Sequence, residues 1–101
     1  METKREYNSK KSRGTRLEPP SMYNVIMHND DFTPMSFVVD ILVRHFDKSN
    51  EEATRLMLEV HNNKRSVAGT YPYDIAITKC YRALNEAKES GYPFKMVVDK
   101  A

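Results

Sequence analysis

Met22-Tyr23-Asn24-Val25-Ile26-Met27-His28, followed by Asn29-Asp30-Asp31-Phe32-Thr33-Pro34-Met35, decides the fold. The first seven residues alternate. Tyr23, Val25 and Met27 share one face of an extended chain; Met22, Asn24, Ile26 and His28 share the other. Asn29-Asp30-Asp31 breaks the strand with side chains that hydrogen-bond their own backbone. Thr33-Pro34 then reads as a helix start, a hydroxyl N-cap followed by proline in the first turn. From Met35 to about Phe46 the chain is apolar on most sides, which predicts a largely buried helix.

Downstream the pattern continues. Ser49 and Glu52 form a capping-box pair, and Ala53, Leu56, Met57 and Val60 give a second helix one apolar stripe, ended by Asn62-Asn63. Ser66 to Tyr71 reads as a short strand containing Gly69, and Pro72 starts a third helix. Ile77, Cys80, Tyr81, Leu84 and Ala87 are expected on the inner side of that helix. Gly91 and Pro93 terminate it. Phe94 to Val98 is the last strand, with Phe94, Met96 and Val98 alternating against Lys95 and Val97. The order β-α-α-β-α-β predicts an α+β fold, a small three-stranded antiparallel sheet with three helices packed on one face.

Upstream, residues 1–20 are different. They hold only Met1, Tyr7 and Leu17 as hydrophobic residues and end at Pro19-Pro20. A flexible N-terminal extension is expected over 1–20 and a core domain over 21–101. The net charge of +2 divides unevenly, with six basic and three acidic residues in 1–20 against ten and eleven in 21–101. The basic character therefore sits on the arm. A nucleic-acid module usually carries it on the folded face. With 101 residues, one domain plus an arm is expected. No run of about 20 apolar residues offers a membrane span. One cysteine, Cys80, excludes an internal disulfide and suits a reducing compartment. No apolar leader of secretory type is seen; an organelle transit peptide is weighed against Glu2, Glu6 and Glu18.

Enzyme chemistry finds little support. Cys80 falls mid-helix on the expected buried stripe, where a thiol acts as a small hydrophobe. His28, Asp30, Asp31 and His61 have suitable ligand types but no metal-site spacing. Asp30 and Asp31, adjacent in a turn, read first as capping or Asx-turn residues. There is no phosphate loop or dinucleotide fingerprint, so no cofactor is expected. A binding site fits better. If the first two helices pack side by side, Met35 and Val38 meet Met57 and Val60, with Asn29, Asp30, Asp31 and His61 at the rim. Such a pocket suits a ligand with an ammonium beside a large apolar side chain, as at the N-terminus of a peptide. The plainer reading of the same four apolar residues is ordinary core.

The run from Pro19 through Ile26 into Asn29-Asp30-Asp31-Phe32-Thr33-Pro34-Met35 resembles the ClpS family, bacterial adaptors of the ClpA-type AAA+ unfoldase and its ClpP protease. The resemblance continues through Ala53-Thr54-Arg55-Leu56-Met57-Leu58-Glu59-Val60-His61, resumes at Thr78-Lys79 and covers roughly residues 19–101. It implies a receptor for N-degrons, substrates that begin with Phe, Tyr, Trp or Leu. By position, Asn29, Asp30 and His61 hold the α-amino group, while Asp31 and Thr33 meet the first peptide units or line the entrance. Met35, Val38, Met57, Val60 and Phe94 form the side-chain pocket, with Met35 as a gate against β-branched residues. Asp74 and Lys79 fall where the family docks on the unfoldase N-domain, and the arm falls where the unfoldase pore engages. The implied location is the bacterial cytoplasm, with a plastid second, and neither nucleic acid nor membrane is an expected partner. The rival readings are an interaction module like the C-terminal domain of the ribosomal stalk protein, without such a pocket, and a basic-tailed nucleic-acid binder.

Overall fold

A computed structural model describes residues 18–101, so most of the expected arm, residues 1–17, lies outside the described residues. The elements follow in the order β1 (Met22–His28), α1 (Met35–Phe46), α2 (Asn50–Asn63), β2 (Arg65–Pro72), α3 (Tyr73–Glu89) and β3 (Lys95–Lys100). The central strand is β1, antiparallel to β2 on one side and to β3 on the other. The two strands reached through helices are therefore the edges. The core lies between the sheet and the helices, where Val25 and Met27 of β1, Ala68 of β2 and Met96 of β3 meet Ile41, Leu42, Phe46, Leu56 and Val60.

The alternation read from Met22–His28 holds. Val25 and Met27 are fully buried in the core, while Ile26 lies on the other face, 4% exposed and outside the core cluster. A bulge between Val25 and Ile26 sets Gly69 opposite Val25 and Val67 opposite Ile26, leaving Ala68 as the extra residue of β2. Gly69 is needed here for space. A Cβ at that position would meet the Tyr71 ring, 2.6 Å from Cζ. Tyr71 in turn packs on Phe46, centroids 6.3 Å apart. Gly69→Ala is expected to swing the ring out of place and cost about 1–3 kcal/mol, readable as a lowered urea midpoint.

Two helix starts differ in detail from the sequence expectation. Pro34, not Thr33, is the N-cap of α1: its backbone is extended, and its carbonyl accepts from Phe37 N at 3.1 Å and Val38 N at 3.2 Å. Thr33 stands one residue before the cap, and its hydroxyl donates to Asp30 Oδ2 at 2.8 Å. At α2, Ser49 Oγ accepts from Glu52 N at 3.1 Å as expected. The Glu52 carboxylate does not complete the box, since it binds Arg55 Nε at 3.0 Å. The left-handed residues Asp47 and Lys64 close α1 and α2, and Gly91 follows α3 in the same conformation.

The inner face of α3 is a correction. Ala76, Cys80, Ala83 and Ala87 are buried, whereas Ile77 and Tyr81 are 39% and 69% exposed. Three alanines and a cysteine let this helix lie close on the sheet, where larger side chains would hold it away. Burial pushes the Cys80 thiol up, so it stays protonated and inert. A polar clamp joins α1 to α3, with Glu86 accepting from Arg44 and bonding His45 Nε2 at 2.7 Å. Those two partners hold the Glu86 carboxyl below the usual range. Its contribution to stability is present above the ordinary glutamate value and fades as pH falls through the lowered one.

Candidate N-terminal recognition site

The site begins with a turn. Residues 29–33 carry the chain from the end of β1 to α1, and Asn29 N is anchored to Lys64 O at 2.9 Å, beside the end of α2. Within the turn, Asp30 Oδ1 accepts from Phe32 N at 2.8 Å and Thr33 N at 2.7 Å, and Oδ2 accepts from the Thr33 hydroxyl. Partial burial alone would push the Asp30 carboxyl up; the three hydrogen bonds outweigh it and hold it below the ordinary aspartate range. Asp30 is thus a fixed carboxylate at neutral pH with acceptor capacity left over. The turn's contribution to stability is complete above the ordinary aspartate value and is lost as pH falls through the lowered one.

Helices α1 and α2 supply the rest. Met35 and Val38 lie one turn apart on α1, and Met57, Val60 and His61 lie on the last turns of α2. These five line one cavity of about 170 Å³ together with Asn29, Asp30, Asp31 and Thr33. Its floor is apolar, with Val38, Met57 and Val60 buried, and Met35 stands 45% exposed at the mouth. An apolar cavity of about 150 Å³ is enough to admit a benzene ring. One large side chain therefore fits, with an acidic and amide rim above it.

Nine of the ten residues expected at the pocket converge there. Phe94 does not line it. Its ring is buried one residue before β3, edge-on to Phe37 at 6.4 Å, and it lines a separate groove with Phe32, Leu84, Lys88, Gly91, Tyr92 and Pro93. Phe37 and Tyr92, centroids 4.9 Å apart, form part of the aromatic cluster around it. Asp74 and Lys79 do share one concavity on α3, with Ile75, Thr78 and Arg82. Sequence reasoning missed Ile75 and Arg82. Their signal was the i, i+4 and i, i+3 spacing to Lys79, masked by the wrong inner stripe. Lys79 is also committed internally: its Nζ donates to His45 O at 2.8 Å and sits 5.3 Å from the centre of the Tyr71 ring. Among the described residues no three His, Cys, Asp or Glu side chains are placed to hold a metal ion. None of the described helices is long and apolar enough to cross a membrane.

The family described as ATP-dependent Clp protease adaptor protein ClpS matches residues 18–97. A ClpS from Herminiimonas arsenicoxydans is 48% identical over 85 residues, 84% of this chain and 83% of that protein. One from Paraburkholderia xenovorans is 48% identical over 86 residues, 85% of this chain and 83% of that protein. Among solved structures, Agrobacterium tumefaciens ClpS2 bound to L-phenylalaninamide superposes with a TM-score of 0.79 at 32% identity, covering 82% of this chain and all of that one. With its sequence and its fold matched over the same span, the chain belongs to the ClpS family of adaptors of the ATP-dependent Clp protease.

Proposed function

We propose that this adaptor is the receptor for polypeptides that begin with a bulky hydrophobic residue, Phe, Tyr, Trp or Leu, and that it passes them to a ClpA-type AAA+ unfoldase. The observation that carries the reading is the convergence of nine residues from one turn and two helices on a single cavity, apolar below and acidic at the rim. In this reading Asn29, Asp30 and His61 hold the α-ammonium. Asp31 and Thr33 meet the first peptide units, and Thr33 also orients Asp30 through its hydroxyl. Met35, Val38, Met57 and Val60 enclose the first side chain. L-phenylalaninamide, the ligand of the Agrobacterium neighbour, has the chemistry of such a terminus: a free amine, a benzyl group and an amide. Asp74 and Lys79 belong to a second surface on α3 that meets the unfoldase N-domain.

The energetics suit a carrier that must let go. Burying a Phe or Leu side chain is worth about 1.5–3 kcal/mol. A charge-assisted hydrogen bond adds roughly 1.5–3 kcal/mol. The cost of association leaves an affinity on the order of micromolar or somewhat tighter.

Fluorescence anisotropy with four peptides that differ only at the N-terminus (Phe, Ile, Met and acetyl-Phe) tests the reading. Tight binding of the Phe peptide alone is expected; equal binding of all four, or of none, would remove it. In the same assay Met35→Ala is expected to admit the Ile peptide, because the thioether at the mouth no longer meets a branched Cβ. An unchanged profile would take the gate away from Met35.

A further inference from the structure

The face of the sheet turned away from the helices is ordered in rows. Register places Arg65 and Lys95 on either side of His28, at one level of the three strands. Two residues along, Val67 and Val97 flank Ile26 in the same way. The next row is polar, Thr70 and Asp99 beside Asn24, with the Thr70 hydroxyl on Asn24 Oδ1 at 2.7 Å. Rows lie about 7 Å apart along the strands, and each spans about 10 Å across them. Arg65 and Lys95 are exposed, and Val67 is 40% exposed.

Unpaired cations occur elsewhere on the described surface, at Lys48, Arg82 and Lys88, but the top row sets two of them on either side of one strand. Arg44, Arg55 and Lys79 each pair with a carboxylate. Arg65 and Lys95 form no ion pair among the described residues, and Asp99, two rows away, is the single acid on that face. Folding gains nothing from setting two cations beside an imidazole next to an exposed valine; a partner with the opposite pattern does. We infer that the open sheet face, through Arg65, His28 and Lys95 with the exposed Val67 in the row below, docks an extended acidic peptide segment whose carboxylate and apolar side chains lie two residues apart. Charge complementarity selects the acid, and the row spacing selects the interval. The chain's own residues 1–20, which carry six basic side chains against three acidic, do not fit it. A nucleic acid would call for cations spread along a phosphate track, whereas here they occupy one row. The surface is distinct from the pocket between α1 and α2.

The test uses a fluorescent peptide, acetyl-Gly-Glu-Ser-Leu-Ser-Glu-Gly, whose blocked terminus keeps it out of an ammonium site, and its Gln-for-Glu counterpart. Binding of the acidic peptide alone is expected, weakened roughly tenfold by Arg65→Gln with Lys95→Gln and reduced by Val67→Ser. Asp30→Asn is expected to leave it unchanged. Thermal unfolding of each variant checks that the sheet is intact. The proposal fails if wild type does not prefer the acidic peptide, if the double variant binds it as wild type does, or if Asp30→Asn abolishes it. It also fails if a single-stranded oligonucleotide binds more tightly through the same two residues.

Discussion

Asp30→Asn is expected to weaken binding of a Phe-start peptide roughly 30-fold or more while the domain melts nearly as wild type does. The substitution is chosen for what it keeps. An asparagine Oδ1 can still accept from Phe32 N and Thr33 N, so the turn that Asp30 organises survives. The charge is lost, and with it the ionic half of the contact to an α-ammonium, while the Thr33 hydroxyl must turn from donor to acceptor against the new Nδ2. Asp30→Ala would remove both at once and could not separate them. Thr33→Val gives the intermediate case, since it deletes one of the three hydrogen bonds that keep Asp30 ionised and aimed. Titration provides a second readout. The Asp30 carboxyl lies below the ordinary aspartate range, so its ionic share of the binding should persist into acid and be lost as pH passes through that lowered value. Wild-type affinity in Asp30→Asn would take the α-amino role away from this residue.

Phe46→Ala is expected to cost about 3–5 kcal/mol, a large share of the roughly 5–15 kcal/mol that holds a domain of this size together. The ring closes α1 and is almost wholly buried. It packs on Tyr71 of β2, and the ammonium of Lys79 on α3 lies 5.9 Å from its centre. Three elements therefore lose contacts together. Urea unfolding would show a lower midpoint, and a loss under 1 kcal/mol would mean that the neighbouring side chains collapse into the space. The effect should reach the α3 surface too, because Lys79 is held by the same cluster and by the His45 carbonyl at the end of α1.

These two residues show how the site is built. The carboxylate at the pocket is fixed by its own turn, whereas the walls come from two helices whose packing depends on residues such as Phe46. The pocket's rim is thus a local structure and its floor a tertiary one. Partly for that reason the rim was recognisable as Asn29-Asp30-Asp31-Phe32-Thr33, while the apolar residues below it read equally well as core.

The sequence by itself determined the order of the elements, the alternation of β1, the stripe of α2 and the stop at Gly91. Each rests on backbone propensity or on a side-chain period that needs only neighbours in the chain. It also brought forward eight of the pocket residues, on the condition that the first two helices pack side by side and with ordinary core as an equal reading of the apolar four; Thr33 came through the resemblance to the ClpS family. Tertiary structure alone decided the rest. Helix α3 has large apolar residues at Tyr73, Ile75, Ile77, Tyr81 and Leu84 as well as small ones, so its period admits more than one inner face; close contact with the sheet selected Ala76, Cys80, Ala83 and Ala87. The cap of α1 fell to Pro34, and the Thr33 hydroxyl turned back to Asp30. Phe94 turned into the aromatic cluster of Phe37 and away from the pocket lining. The row of Arg65, His28 and Lys95 exists only through strand register, which joins residues 37 and 67 positions from His28 that no local pattern connects. Short-range periodicity encodes what a segment becomes; which face it buries, and what it meets there, is set by the volumes and hydrogen-bond partners that other segments bring.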